Sequence, residues 1–413
     1  MKARAGRRPK KPILKMIRPN ALIAVLLYAL FVPISADVSR AQALSDEAQG
    51  RVLSEIEMMM AGAEANRLDV IVYLLNKGVD PDATARNGYT TLIVAASSGR
   101  TEIIDLLLAR GADVNKANDT GWTALMEAAL RDQDRTVQQL LKAGAKVNVA
   151  ETKNGQTPLI VAAKSDRPDS LTAMLAAGAD VKAADNKRGL TALHHALSST
   201  KHRSAEMVAE LLVAGADPER RAKDGYTPLM SAVDSGQVAK VSFILSESVA
   251  IDAETKDGRT ALIIAAGAEH PAPVRRLLKA GARVDGGPGK ITALTQAVRA
   301  GLLETTRLLL EAGADVNRSA ADGRRPLMLA ARGGSDELVR LLLDKGAEID
   351  GRNPKDGTTA LMWAANNGLK SIIEHLIERG ADPSIAANDG WTAGEAARMA
   401  GHMDIANKLE RRI

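Results

Sequence analysis

A chain of 413 residues that is 46% apolar but only 2% aromatic must fill its core with Ala, Leu, Ile, Val and Met, a composition suited to small, closely packed helices. It has no cysteine, which excludes disulfides, thiolate metal sites, a Cys nucleophile and lipid attachment through sulfur. The formal charge of +5 is concentrated at one end: residues 1–43 hold nine Lys/Arg and one acid, Asp37, leaving 46 basic and 49 acidic residues in 44–413. The body is slightly acidic and offers no track for a polyphosphate, so no nucleic-acid partner is expected.

In chain order, the basic stretch from Lys2 to Arg18 precedes a 12-residue apolar run, Ala21 to Val32, closed by Pro33. A membrane-spanning helix needs about 20 apolar residues, so residues 1–43 are read as a secretory signal peptide. Ala41-Gln42-Ala43 places cleavage after Ala43, with cleavage after Ala36 as the alternative. An uncleaved inner-membrane anchor is the competing reading of the same run. Arg7-Arg8 is followed by Pro9-Lys10-Lys11 and not by an apolar pair, which favours the general secretory route over twin-arginine export. The start is open between Met1 and Met16, the latter giving a 28-residue signal. Residues 44–53 form a short lead-in.

Residues 54–85 are predicted to form a divergent first module, with a helix pair over 54–79. From there a tetrad recurs after a Gly-x pair: Thr90, Thr123, Thr157, Thr191, Thr227, Thr260, Thr292, Arg325, Thr359 and Thr392 mark its first position. The steps are 33, 34, 34, 36, 33, 32, 33, 34 and 33 residues, a regularity that defines a repeat array. Thr at the anchor is a helix N-cap. Pro158, Pro228 and Pro326 follow it at the position where a missing N–H costs nothing. Paired alanines such as Ala95-Ala96 and Ala128-Ala129 slim the first helix. A second helix carries apolar residues at helical spacing, such as Ile103, Ile104, Leu107 and Leu108. It ends at Gly111, Gly144, Gly178, Gly215, Gly281, Gly313, Gly346 or Gly380, where a left-handed cap is expected. Asp-Gly and Asn-Gly turns lead into the next anchor. About nine such repeats fill 86–388, and 389–413 closes the array as a capping repeat.

This period, with Gly-Ala-Asp-Val-Asn near module ends (Gly111 to Asn115, Gly313 to Asn317), resembles the ankyrin repeat over 54–413. The resemblance implies an all-α solenoid of stacked helix-turn-helix modules with β-hairpin-like loops. It also implies recognition on the hairpin tips and the inner helix faces, which line a concave groove. With its leader, the chain resembles exported bacterial ankyrin-repeat proteins.

The repeat is least regular between about 197 and 291. Ser198 to Ser204 lengthens one interhelical loop, Ser248 replaces a capping Gly, Pro271 and Pro273 reshape a helix entry, and Gly286-Gly287-Pro288-Gly289 replaces a turn. Neutral drift and a functional bend are both open readings.

No catalytic, cofactor or metal site is expected. The six histidines lack the His-Glu-x-x-His spacing. His194 occupies the His slot of the family's Thr-Pro-Leu-His motif, where the resemblance implies a local bond to the cap. The Gly286–Lys290 loop fails as a phosphate loop, since Val284 and Ile291 stand where Gly and Ser/Thr are required. Candidates for partner binding are the aromatic and Arg residues of the array. Tyr89, Trp122, Tyr226 and Trp391 share the slot just before the anchor, with Arg259 and Arg324 at the same place in other modules. Trp363 sits on a first helix, in register with Val94, Glu127, Val161, His195, Ser231, Ile264, Gln296 and Leu329. Tyr, Trp and Arg anchor protein interfaces, so a half-exposed contact strip is expected, although such aromatics also serve to stiffen an array. The function that follows is a monomeric, non-catalytic, exported scaffold, periplasmic, binding an unidentified protein. An inner-membrane-tethered adaptor and a host-directed effector are the alternatives.

Overall fold

The computed structural model describes residues 54–286 and 291–412. The predicted signal peptide, the lead-in and most of the Gly286–Lys290 loop lie outside the described residues. The chain divides at Lys187/Arg188 into two compact units. In the first, the helices are α1 (Glu55–Glu64), α2 (Leu68–Asn76), α3 (Thr91–Ser97), α4 (Thr101–Ala109), α5 (Ala124–Leu130), α6 (Asp134–Lys142), α7 (Pro158–Ser165) and α8 (Pro168–Ala176). The second begins with α9 (Ala192–Ser198), α10 (Ser204–Val213), α11 (Pro228–Asp234), α12 (Val238–Leu245), α13 (Ala261–Ala266) and α14 (Pro271–Lys279). It continues with α15 (Ala293–Arg299), α16 (Leu303–Glu311), α17 (Pro326–Gly333), α18 (Asp336–Asp344), α19 (Ala360–Asn366), α20 (Lys370–Glu378), α21 (Ala393–Met399) and α22 (Met403–Glu410).

Odd-numbered helices are the first helices of the modules, and from α3 onward they are at most eight residues long. Helices this short are marginal alone, so caps and stacking hold them. Thr90, Thr123, Thr157, Thr227, Thr260 and Thr359 each accept a hydrogen bond from the backbone N–H three residues on, at 3.2–3.4 Å. Thr191 differs: its N–H and hydroxyl lie 3.3 and 2.9 Å from Nδ1 of His194. Arg325 stands at the same position with no side-chain cap bond. Within each unit neighbouring first helices pack together, α3 on α5 and α17 on α19 among them. Ala95, Ala96, Ala128, Ala129, Ala364 and Ala365 are fully buried at these contacts, where larger side chains would hold the helices apart.

Most second helices share one closure. At the end of α4, the Gly111 N–H donates to Leu108 O and the Ala112 N–H to Leu107 O, both at 3.0 Å. This pair of bonds is the Schellman closure, which requires a left-handed residue between them. Gly111 has φ 89°, and Gly144, Gly178, Gly215, Gly313, Gly346 and Gly380 fall between 80° and 95°. An added Cβ at Gly111 would meet no atom within 4 Å, so backbone conformation, and not space, is what calls for glycine there. Ser248 takes this role with φ 56°, a conformation costing roughly 1–3 kcal/mol without glycine.

The loops between modules are hairpin-like turns. Among the described residues there is no strand, only isolated bridges such as that between Thr84 and Thr90. Four of the tips are turns closed by a pair of backbone bonds: Asn118 N–H donates to Trp122 O (3.0 Å), Ala222 to Tyr226 (2.8 Å), Ala320 to Arg324 (2.8 Å) and Ala387 to Trp391 (2.8 Å), and in each the Gly N–H donates back to the first residue's carbonyl at 2.8–3.0 Å. Successive tips are also linked. In the first unit Asp119 N–H donates to Asn87 O and Thr152 N–H to Thr120 O; in the second, Lys256 N–H donates to Asp224 O and Asn388 N–H to Asp356 O. The slots before these anchors are thus held by bonds from tip to tip.

The irregular stretch has a definite internal chemistry. Most first helices are followed by a left-handed residue, such as Gly99, Asp132, Gly236 or Gly368; α13 ends at Gly267 with φ −88°. Helix α9 instead runs into Ser199 with extended backbone (φ −69°, ψ 145°), where the inserted loop begins. Its last carbonyls are bonded from the next module. Lys240 on α12, only 1% exposed, donates from Nζ to Ala196 O (2.8 Å), Leu197 O (3.3 Å) and Ser199 O (2.6 Å). An ammonium with three donors suits the negative end of a helix with three free acceptors. Pro271 and Pro273 do not disrupt the following entry. They fall at the first and third residues of α14, where the backbone N–H has no intrahelical acceptor.

Candidate functional site

The tip slots and the first-helix face meet by a simple register. The side chain in a tip slot reaches the first helix of the following module, onto the position four residues after its anchor. Tyr89 lies against Glu127 in this way, and Arg324 against Trp363.

In the first unit the strip is built around Tyr89, Trp122 and Glu127. Tyr89 is half-buried; burial and then the Glu127 carboxylate push its hydroxyl pKa up, while Asn118 opposes the shift. Glu127 is buried on α5 and lies 3.6 Å from Arg131. Trp122 is half-buried, its backbone N–H donating to Asn118 Oδ1 at 2.9 Å. Its indole N–H is buried without an acceptor, a cost of about 1–3 kcal/mol.

In the second unit Tyr226 departs from the half-exposed row. It is only 8% exposed because its hydroxyl turns inward to donate to the Asp234 carboxylate and Met230 O. The Arg188 guanidinium covers its ring at 5.2 Å. Burial foremost, then Asp234, raises its pKa strongly. Tyr226 is therefore a packed side chain. Arg259 is half-buried and pairs with Asp257 at 2.7 Å. Arg324 and Arg332 lie over the Trp363 ring at 4.9 and 5.2 Å, and the Trp363 indole N–H is buried without an acceptor. Trp391 is 41% exposed; its slot would reach a following first helix, and none follows among the described residues.

His194 is buried beside Tyr226 and Arg220, and burial pushes its pKa down to about 4. It is held neutral as part of the cap. Among the described residues no group of His, Asp and Glu side chains could hold a metal ion, and no helix is long and apolar enough to cross a membrane.

Sequence reasoning passed over three side chains that shape this strip. Glu127 is an acid in a slot that Val94 and Val161 fill in the neighbouring modules, a signal available in the register. Arg332 sits seven residues after its anchor, at a helix end where a cation is unremarkable. Arg188 lies outside the repeated slots.

Helix pairs at a period near 33 residues, capped by Thr and closed by left-handed Gly, are the architecture of a repeat scaffold. The model for ankyrin repeats in triplicate matches overlapping segments from 58 to 353, and that for the single ankyrin repeat matches 356–388. The chain belongs to the ankyrin-repeat family. It is 39% identical over 134 residues to the ankyrin repeat and KH domain-containing protein mask-1 of Caenorhabditis elegans, covering 31% of this chain and 5% of that protein. It is 38% identical over 133 residues to human neurogenic locus notch homolog protein 4, covering 28% and 7%. Human ankyrin repeat and SOCS box protein 11 is 34% identical over 105 residues, covering 25% and 32%. The aligned part is at most a third of each relative, and all three are animal proteins that share the repeats with this chain.

Proposed function

We propose that this chain is a non-catalytic scaffold that binds a protein partner along the strip formed by the tip slots and the first helices. The observation that carries this reading is that Trp391 stands exposed in a tip slot while Arg332 lies over the Trp363 ring on the first-helix face beside the tips. These are large side chains of the kind that anchor interfaces. Binding then depends on shape and residue complementarity on a preformed surface, without chemistry. The family resemblance supports a protein partner and leaves its identity open, because one scaffold presents unrelated surfaces.

The test is site-specific photo-crosslinking in the producing cell, with the full chain carrying the crosslinker at Trp391, at Arg332, or at Val213. Val213 is 90% exposed on a second helix and lies off the strip. Crosslinks to a protein from Trp391 and Arg332 but not from Val213 support the reading. Crosslinks from Val213 alone, or from none of the three, contradict it.

The scaffold is also proposed to be exported and to act in the periplasm as a monomer. The basic stretch, the 12-residue apolar run and Ala41-Gln42-Ala43 support this reading. Sequencing the N-terminus of protein recovered from the cell envelope should give a start after Ala43 or Ala36. A mature start within residues 1–20 overturns cleavage. Retention in membranes after a high-salt wash then identifies the tethered adaptor.

A further inference from the structure

We propose that the strip of the second unit between Arg259 and Asn366, centred on Trp363, docks an acidic peptide segment of the partner protein. This rests on the scaffold reading and names the chemistry of what the scaffold takes.

The three slots that face along the strip are the tip position and the positions four and seven residues after each anchor. Over this stretch the tip slots hold Arg259, Ile291, Arg324 and Thr358. The first-helix slots hold Ile264, Gln296, Leu329 and Trp363, then Gly267, Arg299, Arg332 and Asn366. Four are arginines and none is an acid. The same slots in the first unit, from Tyr89 to Lys164, hold one base and one acid, Lys164 and Glu127. The arginine strip is a local property of the second unit.

Its charge is incompletely matched from within. Arg259 pairs with Asp257 at 2.7 Å, while Arg299 and Arg324 share Asp322 at 3.5 and 3.4 Å. Arg332 is exposed and has no carboxylate partner among the described residues; its guanidinium lies over the Trp363 ring at 5.2 Å. Two carboxylates thus face four guanidinium groups. Contact with the Trp363 ring holds the Arg324 and Arg332 guanidinium groups in place, so less side-chain freedom is lost when each offers its paired N–H donors to a carboxylate.

An acidic peptide fits better than a nucleic acid. The surplus is two charges around one ring, not a continuous track, and the body around it carries more acidic than basic residues. A polyphosphate would be repelled along its length, whereas two discrete carboxylates would be held.

The experiment measures fluorescence anisotropy of the full chain with three labelled probes. These are a peptide of alternating Glu and Gly, its Lys and Gly counterpart, and oligothymidylate. The expected result is saturable binding of the acidic peptide below about 100 µM, none of the basic one, and weakening as salt rises. Arg332→Glu should reduce affinity about tenfold or more, and Arg299→Glu should repeat the loss from a second position. Trp363→Phe, which keeps the ring, should bind like the parent, whereas Trp363→Leu should not. No binding of the acidic peptide, affinity unchanged in both Arg variants, or tighter binding of oligothymidylate would overturn the inference. Protein crosslinks at Trp391 and Arg332 without acidic-peptide binding overturn this inference alone. Absence of those crosslinks removes the scaffold reading beneath it.

Discussion

The two units use one repeat frame for different purposes. In the first, each first helix is followed by a left-handed residue, Asn66, Gly99, Asp132 or Asp166, and the strip is aromatic and aliphatic around one buried acid. In the second, α9 has lost that closure, a lysine from the next module supplies the missing donors, and the strip carries arginines. The Thr caps and the Gly closures of the second helices recur through both, with Arg325 and Ser248 as exceptions in the second. Frame and surface are therefore separable: the positions that hold a module together are not those that distinguish one module from another.

The sharpest way to break this comparison is at the slot four residues beyond the first-helix closure. Ile103 and Lys240 occupy it in the two units, and both are fully buried. Lys240→Met should destabilise the second unit by on the order of 3–5 kcal/mol, because three carbonyls at the end of α9 lose their donor. Ile103→Val in the first unit should cost only about 0.5–1.5 kcal/mol. Urea unfolding followed by circular dichroism checks both, and similar losses would argue against the carbonyl clamp. Next in size is Leu125→Ala on α5, expected to cost about 2–5 kcal/mol through the cavity it leaves; parent-like melting would deny the packing register.

His194 gives the second unit a pH dependence. Its folded pKa, about 4, lies below the 6.5 of the unfolded chain. Below pH 6.5 the unfolded state therefore binds the extra proton. The associated stability is full above pH 6.5 and is lost as pH falls toward 4, amounting to on the order of 3 kcal/mol. Urea midpoints across this window should flatten in His194→Met, the residue that Met126 and Met230 supply in other modules. An unchanged slope would place the dependence elsewhere. The smallest effect is expected at the anchor. Thr123→Ala should cost about 1 kcal/mol. Arg325→Thr, which installs a missing cap at the expense of the exposed pair with Glu348, should gain up to about 1 kcal/mol.

The repeat frame was legible because each element is coded locally. A Thr before an apolar run caps a helix, and a Gly after one closes it, whatever else the chain does. The strip was legible only as a set of slots. That Tyr226 turns inward depends on where Asp234 and Arg188 come to lie, and no spacing rule carries that. Arg324 and Trp363 were each visible as candidates, but their stacking is a contact between modules 39 residues apart. Lys240 carries no mark in the sequence, because its role depends on carbonyls that the inserted loop leaves beside it.

The central claim is that recognition sits on side chains the frame does not need. It is tested most directly by one variant with two readouts, Arg332→Ala combined with Trp391→Ala in the full chain. The account predicts loss of the partner crosslink from a third strip position, Arg324, with a urea midpoint unchanged from the parent. Retention of the crosslink, or its loss together with a lowered midpoint, would contradict it.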